Sequence, residues 1–497
     1  MGDKKYLLAV DEGTTSCRAV LFSLFDMRAL ASFSEPIASE YPRGGWVEQN
    51  ANDIYLRQSL CIRRIFESSD FSPHEIAAVG ITNQRESVVI WDRETGRALA
   101  PCVGWQCRRT ADECARLRAV PGLADKIKRK TGLVIDAYFT APKLSWLLKN
   151  TPGARAKAER GELLAGTLDS YLIYRMTGGR THATDVTNAS RTMLFDIHKL
   201  AWDKELLELF DIPEGILPEV RECAADYGKA DICGARVPIR GVAGDQQASL
   251  IGQACFSPGD VKCTYGTGAF LLANTGEEPR VTDSPLITTV AYKIKGRTAY
   301  ALEGSVFNCA SVVNWLKNVG LIDSAADSEV VARGAENSGG TYLVPAFTGL
   351  GAPYWDMDCR AAITGITRST TRNQIVRAGL ESIALRCGEV YDLMSRETGR
   401  PLGALRADGG VSRNSLVMEM QASVIGAPVY LSREHECTAL GAAYLAGMGA
   451  SIYDGTDIVR DLHSVERVFE PSGDAHTMGE LKAGWRRAVA AVRGERR

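Results

Sequence analysis

Twice in this chain, half a length apart, an apolar strand-like run ends in a glycine- and threonine-rich turn and doubles back. The first copy is Tyr6-Leu7-Leu8-Ala9-Val10, then Asp11-Glu12-Gly13-Thr14-Thr15-Ser16, then Arg18 and a second strand, Ala19 to Phe22. The other is Val261 to Tyr265, then Gly266-Thr267-Gly268, then Ala269 to Ala273. Glycine lets backbone come close to a phosphate, and successive N–H groups in such turns form anion-binding concavities. Threonine hydroxyls add donors. An acid at the end of a strand, here Asp11, can hold a magnesium ion, usually through water. Two hairpins of this kind facing each other predict a clamp on a nucleoside triphosphate. The sequence has no G-x-x-x-x-G-K-[ST] and no G-x-G-x-x-G, so a nucleotide would have to rely on the paired hairpins.

At 497 residues the chain exceeds one ordinary core and predicts two large domains, 1–253 and 254–497. The boundary falls between the strand ending at Gly244 and the turn at Pro258-Gly259. Strand-like runs (Ile76 to Thr82, Val88 to Trp91) alternate with helix-like ones (Ala51 to Glu67), which predicts an α/β protein. Ile375, Gly379, Ile383, Cys387, Val390 and Met394 recur at helical spacing and predict a long core helix. With 58 basic and 60 acidic residues, nothing argues for nucleic acid, and the run Lys126 to Lys130 reads as a solvated helix face. Thirteen cysteines without a C-x-x-C pair predict reduced thiols in a cytoplasmic protein. The tight group Cys102, Cys107 and Cys114 has no histidine nearby and reads as core, not zinc. The apolar stretch Ala439 to Ala450 is broken by glycines and too short to cross a bilayer, so no membrane insertion is expected. The tail from Gly473 reads as a charged surface helix.

A third piece runs Leu405-Arg406-Ala407-Asp408 into Gly409-Gly410-Val411-Ser412-Arg413-Asn414 and a helix-like run from Leu416 to Ile425. Paired hairpins plus Asp-Gly-Gly resemble the actin-like (ribonuclease-H-like) ATPase fold. Within it, Asp11-x-Gly-Thr-Thr-x-x-Arg18, Thr82-Asn83-Gln84-Arg85-Glu86, Trp105-Gln106-Cys107-Arg108-Arg109, Gly244-Asp245-Gln246-Gln247 and Tyr265-Gly-Thr-Gly268 are similar to motifs of the FGGY carbohydrate kinase family. The likeness is to those members that phosphorylate glycerol, and it covers nearly the whole chain.

The resemblance implies two actin-like ATPase domains with a catalytic cleft between them. It implies glycerol and ATP as substrates, magnesium, a product of sn-glycerol 3-phosphate, and a place in glycerol uptake and catabolism. Asp245 would be the general base, as phosphoryl transfer needs little beyond positioning, magnesium and charge neutralisation. Arg85 and Glu86 would bind the polyol hydroxyls as donor and acceptor, Gln246 and Tyr138 would add polar contacts, and Trp105 and Phe270 would face the carbon chain. Asp11, with Asp245, would hold the magnesium shell. Thr14, Thr15, Ser16 and Arg18 would surround the β and γ phosphates, with Gly266 and Thr267 opposite. Ala310, Asn314, Gly410 and Asn414 would lie on the adenosine side. Assembly as a homodimer or homotetramer is also implied. Pro42, Trp46 and Glu48 match the family as structural residues.

The sequence departs from the family at Glu12, where glutamine is usual, which would add negative charge beside the phosphates. Ala310 and Asn314 replace the usual glycine and glutamine, and Arg413 and Ser415 also differ. The stretch Ile232 to Val237 is short for the Gly/Arg-rich loop on which sugar-bisphosphate control depends in some relatives, so that control is not expected. The rival readings are an FGGY kinase for a longer polyol or a ketose, a degenerate regulator, and a non-enzymatic actin-like switch. The last would have no use for Arg85, Glu86 or Asp245.

Overall fold

The computed structural model describes residues 4–473 and 475–495. The chain opens with β1 (Tyr6–Glu12), β2 (Ser16–Ser23) and β3 (Ala29–Pro36). Helix α1 (Ala51–Glu67) follows, with the Asn50 side chain accepting from the N–H groups of Asn52 and Asp53 at its start. Then come β4 (Ile76–Asn83), β5 (Lys229–Ile232), β6 (Ala235–Gly244) and α2 (Asp245–Gly252). The sheet order is β5-β6-β4-β1-β2-β3.

The second half repeats this plan. Strands β7 (Val261–Tyr265), β8 (Ala269–Gly276), β9 (Ile287–Ile294) and β10 (Arg297–Val306) lead to α3 (Ala310–Asn318) and the long α4 (Arg372–Thr398). After them come β11 (Leu405–Asp408), α5 (Ser415–Ile425), β12 (Val429–Ser432), α6 (Cys437–Gly449), β13 (Val465–Phe469) and α7 (Ala475–Val492). The sheet order is β9-β10-β8-β7-β11-β12-β13.

In both sheets the first strand runs antiparallel to the second and parallel to a later one. β1 pairs with β2 and β4, and β7 pairs with β8 and β11, with β6 and β12 extending the parallel part. Open α/β sheets bind ligands beyond the carboxyl ends of their parallel strands. Those ends carry Asp11 on β1, the Gln84-Arg85-Glu86 turn after β4, Asp245 after β6, the Gly266 turn after β7, and Asp408 on β11. A smaller sheet joins Glu48–Gln49, just before α1, to Cys102–Val103, Val88–Asp92 and Leu163–Thr167, which lie between β4 and β5 in sequence, and carries the segment with Trp105.

The apolar stretch near residue 440 is α6, buried on every side from Cys437 to Met448 apart from Thr438, as a helix apolar all round must be. It comes from the second half yet packs on the first sheet and against α2, sharing a core with Leu7, Ala9, Ala243 and Ala248. Small residues make the contact possible. A Cβ on Gly441 would lie 1.8 Å from the Ala248 carbonyl oxygen, and one on Gly80 would lie 2.0 Å from that of Ala442.

All thirteen cysteines are free, and only Cys233 is exposed. Cys233 and Gly234 form the tight positive-φ turn between β5 and β6. The lysine run is tied down more than expected, with Lys128 donating to the Ser284 carbonyl and Lys130 to Asp203. The tail is not a mere surface helix. In α7, Trp485 is 2% exposed and donates Nε1–H to Glu389 at 2.8 Å; residues 474 and 496–497 lie outside the described residues. Among the described residues no helix is long and apolar enough to cross a membrane.

Backbone cannot move aside as a flexible side chain can. Gly441→Ala should therefore destabilise the protein by about 1–3 kcal/mol or more, and, by shifting α2, lower activity beyond the stability loss. Urea unfolding and initial rates check this; a variant with unchanged midpoint and rate would contradict the packing described.

Candidate functional site

An aromatic wall is built from both halves of the chain. Trp105 sits between Tyr138 and Phe270, with ring centroids at 5.6 and 6.3 Å and planes at 83° and 78°. Phe270 is on β8; Tyr138 precedes a helix at Thr140–Asn150. The Trp105 backbone N–H donates to Ser87 Oγ at 3.0 Å, and its Nε1–H donates to Thr14 Oγ1 at 3.0 Å. One tryptophan thus touches the first phosphate-type turn and the polyol-type pocket together. Burial pushes the Tyr138 phenol well up, so it stays a neutral donor at any working pH.

The floor is ionic. Arg85 donates through Nη1 to Glu303 Oε2 at 2.6 Å and to Gln247 Oε1 at 3.2 Å, and through Nη2 to Glu303 Oε1 at 3.0 Å. Its Nε lies 3.1 Å from Asp245 Oδ1. Arg191 donates to Glu86 Oε1 at 2.6 Å and to Glu303 Oε1 at 2.9 Å. Arg85, Glu86, Arg191 and Glu303 are each at most 3% exposed, whereas the Asp245 side chain is 29% exposed. Burial by itself would raise Glu303, but Arg191 and Arg85 outweigh it and hold the carboxyl down at about 2. For Glu86 burial wins over Arg191 and Arg85, and the carboxyl is raised. Glu86 also has φ 61°, a left-handed backbone that a non-glycine residue adopts at a cost of about 1–3 kcal/mol. The Thr140 hydroxyl donates to the Glu86 carbonyl at 3.1 Å.

Of the residues expected at a polyol site, Trp105, Tyr138 and Phe270 are in contact and Arg85 pairs with Asp245, but Arg85 commits most of its fork to protein carboxylates. Arg191 and Glu303 went unassigned from the sequence. Their signal is a charge where a core position is due, as in Ala301-Leu302-Glu303-Gly304 on β10, a strand whose last eight residues are buried.

On the phosphate side, the first turn closes with Gly13 N–H donating to the Ser16 carbonyl at 3.0 Å, and the other with Gly266 N–H donating to Gly268 at 2.9 Å. Thr15 and Thr267 are exposed at the two tips, with Gly266 and Ser16 partly so. The start of α3 is pinned to the second turn, the Cys309 and Ala310 N–H groups donating to the Thr267 and Gly266 carbonyls at 2.9 and 3.0 Å. Asn314, one turn further, is exposed. Arg18 lies opposite Asp11 across the β1–β2 pair and forms an ion pair with Glu436, just before α6. Asn414 caps α5, accepting from Val417 N–H at 3.1 Å and donating to Ser328 at 3.2 Å, so its side chain already has structural work. Gly410 faces open space: nothing lies within 4 Å of where its Cβ would be.

Burial pushes Asp11 up to about 6, opposed by Arg18 and reinforced by Asp245. Glu12 departs from the sequence-based expectation. Its side chain is wholly buried and turned to Gln84, whose Nε2 donates to Glu12 Oε1 at 2.9 Å; Oε2 is buried without a partner. Burial raises this carboxyl well above the usual range. Burial thus disfavours its charge, and the side chain faces the Gln84 scaffold. Gln84 in turn donates to Gln49 and accepts from Ser87, so Glu12 belongs to the scaffold under Thr14 and Trp105. Glu12→Gln should leave kcat/KM within about threefold, since an amide of the same shape can keep the buried hydrogen bonding with Gln84. A tenfold or larger drop in the KM for ATP would show instead a charged Glu12 facing the phosphates.

Residues 6–252 match the N-terminal domain of the FGGY family of carbohydrate kinases, and residues 261–450 match its C-terminal domain. The chain is 49% identical to a glycerol kinase of Halorhodospira halophila over 98% of its own length and 96% of that protein's. It is 48% identical to glycerol kinase 1 of Pseudomonas aeruginosa over 99% of both. Among solved structures, Plasmodium falciparum glycerol kinase with ADP superposes with a TM-score of 0.91 at 35% identity, covering 98% of each chain. A ligand-bound xylulose kinase from Lactobacillus acidophilus, 23% identical and covering 99% of each chain, shares the fold with a TM-score of 0.88. Two matched domains spanning most of the sequence, and relatives near half identity over almost all of it, place this chain in the FGGY family of carbohydrate kinases.

Proposed function

We infer that this chain transfers the terminal phosphoryl group of ATP to glycerol, giving glycerol 3-phosphate and ADP. The observation that carries this reading is the aromatic wall of Trp105, Tyr138 and Phe270, with Arg85 and Glu86 next to Tyr138 and Asp245 paired to Arg85. So many polar groups in so small an aromatic space suit a three-carbon triol. Near-half identity to glycerol kinases supports the same substrate.

In this reading Asp245 accepts the proton of the attacking hydroxyl. It is partly exposed, it sits at the first position of α2, and Arg85 fixes one of its oxygens. Glu86 accepts from a hydroxyl, Arg191 holding its other oxygen. Tyr138 and Gln246 add polar contacts. The turns at Thr14-Thr15-Ser16 and Gly266-Thr267 offer donors to the triphosphate, and Arg18 adds charge beside Asp11. Gly410 leaves room on the adenosine side, with Ala310, Asn314 and Asn414 around it. Asp11 and Asp245 suit a magnesium ion brought in on the nucleotide. A buried acid raised to about 6 beside another acid is short of positive charge, and magnesium takes few protein ligands. When bound, the ion would neutralise phosphate charge. Domains 1–253 and 254–497 closing over both substrates would exclude water and limit idle ATP hydrolysis. Free thiols throughout fit a cytoplasmic protein, and family resemblance implies a homodimer or homotetramer.

The test is ATP-dependent product formation over a panel of acceptors. Glycerol should exceed 1,2-propanediol and xylulose in kcat/KM by at least about 10²-fold, because a missing hydroxyl leaves a buried polar group unpaired. Asp245→Asn, run in parallel, should lower kcat by roughly 10²–10⁴-fold. Equal or better turnover of a pentulose would overturn the substrate while sparing the kinase; retention of more than about a tenth of the wild-type kcat would remove Asp245 from its role.

A further inference from the structure

Beneath Asp245 a second polar chain joins the two halves. Lys262, on β7, has no exposed surface. Its Nζ donates to Gln246 Oε1 at 2.6 Å and to Thr264 Oγ1 at 2.9 Å. Ser249 Oγ lies 3.1 Å from Thr264 Oγ1 and donates to Asp408 Oδ2 at 2.9 Å. The spacing is what the two elements dictate. Gln246 and Ser249 are three apart on α2 and share a face; Lys262 and Thr264 are two apart on β7 and share the other. Among the described residues no carboxylate lies within ion-pairing distance of Lys262. Asp408 and Asp245 attract this ammonium at longer range, but burial outweighs them; such a group is costly, and core packing alone would be served by an apolar side chain.

An ammonium has three donors and no acceptor, while a carboxamide has one end of each kind. Only the carbonyl end of Gln246 can face Lys262, so its NH₂ end must face away. That end makes no hydrogen bond to any described residue, and the neighbouring residue is Asp245, the exposed member of the ion cluster. We propose that Lys262 is a positioning residue that fixes the Gln246 carboxamide in the one orientation that offers its NH₂ to a hydroxyl oxygen of the acceptor. This rests on the reading of Gln246 as an acceptor contact. Without Lys262 the amide could turn over and present a carbonyl to the same hydroxyl, with no loss of shape. Through Thr264 and Ser249 the same chain reaches Asp408, at the turn leading to Gly410, so the amide is braced from the nucleotide side of the molecule.

The test is steady-state kinetics on Lys262→Met, Gln246→Met and the double variant, with glycerol and ATP varied separately. Lys262→Met should raise the KM for glycerol by about tenfold, with kcat and the KM for ATP within about threefold. On the Gln246→Met background it should add nothing further, because the two act as one unit. An unchanged glycerol KM in Gln246→Met would overturn the reading of Gln246 itself. A normal KM in Lys262→Met beside a raised one in Gln246→Met, or fully additive losses, would overturn the role of Lys262 alone. Should Lys262→Met not fold, Lys262→Arg and Lys262→Gln decide the matter. The donor-only arginine should keep the glycerol KM near wild type, and glutamine, which can donate or accept, should raise it; equal values or the reverse order would overturn the proposal.

Discussion

The Arg85–Glu303 pair holds this protein's chemistry together. Arg85 follows a strand of the first sheet and Glu303 lies within a strand of the second, and both are buried. Burying opposite charges is tolerable only when geometry and hydrogen bonding are nearly complete, and removing one partner strands the other at a cost of about 3–5 kcal/mol. Here two guanidinium groups lie among three carboxylates, Arg191 sharing Glu303 with Arg85 and taking Glu86 as well. The cluster favours one relative placement of the two halves, and it sets the strained turn at Glu86 and one oxygen of Asp245.

That placement needs the backbones to come close, and the glycine contacts of α6 supply the approach. Helix α6 crosses α2 and the first sheet at separations that only hydrogen side chains permit. Since α2 begins at Asp245, the crossing fixes the height of the Asp245 carboxylate above the sheet. The electrostatics follow from depth. Glu303 is held low by its two arginines, Asp11 is raised by burial, and Glu12, deeper still, is raised well above the usual carboxylate range. Three acids close together thus shift in different directions or degrees because their surroundings differ, as residue type alone would not foretell.

Much of this was legible in the sequence, for a physical reason. The paired hairpins, the Asp-Gly-Gly turn and the Gly-Asp-Gln motif are local: glycines, threonines and acids at fixed offsets report the turn they make. Helix α1 and strands β7 and β11 lie where periodicity puts them, and Trp105, Tyr138 and Phe270 meet as expected. Partners separated by long stretches of chain were not legible. Arg191 and Glu303, over a hundred residues apart, touch only after both sheets form; Lys262 lies only sixteen residues from Gln246 but meets it across the junction between the halves. Each does break an apolar strand or buried segment, so the misplaced charge was visible although its partner was not. Glu12 failed differently, because alternation along β1 decides which way it points: it follows Asp11, and so turns to the opposite face.

If a buried ion network from both halves builds the acceptor site, Glu303→Gln should disturb it at its centre. The amide keeps the shape but leaves Arg85 and Arg191 short of a negative charge, although Glu303 itself is held by protein partners. Calorimetry on the folded variant should show glycerol affinity weakened by about 10²-fold, about half to nine-tenths of the cost of breaking a buried pair, with nucleotide affinity within about threefold. Glycerol affinity equal to that of the parent protein would contradict the account.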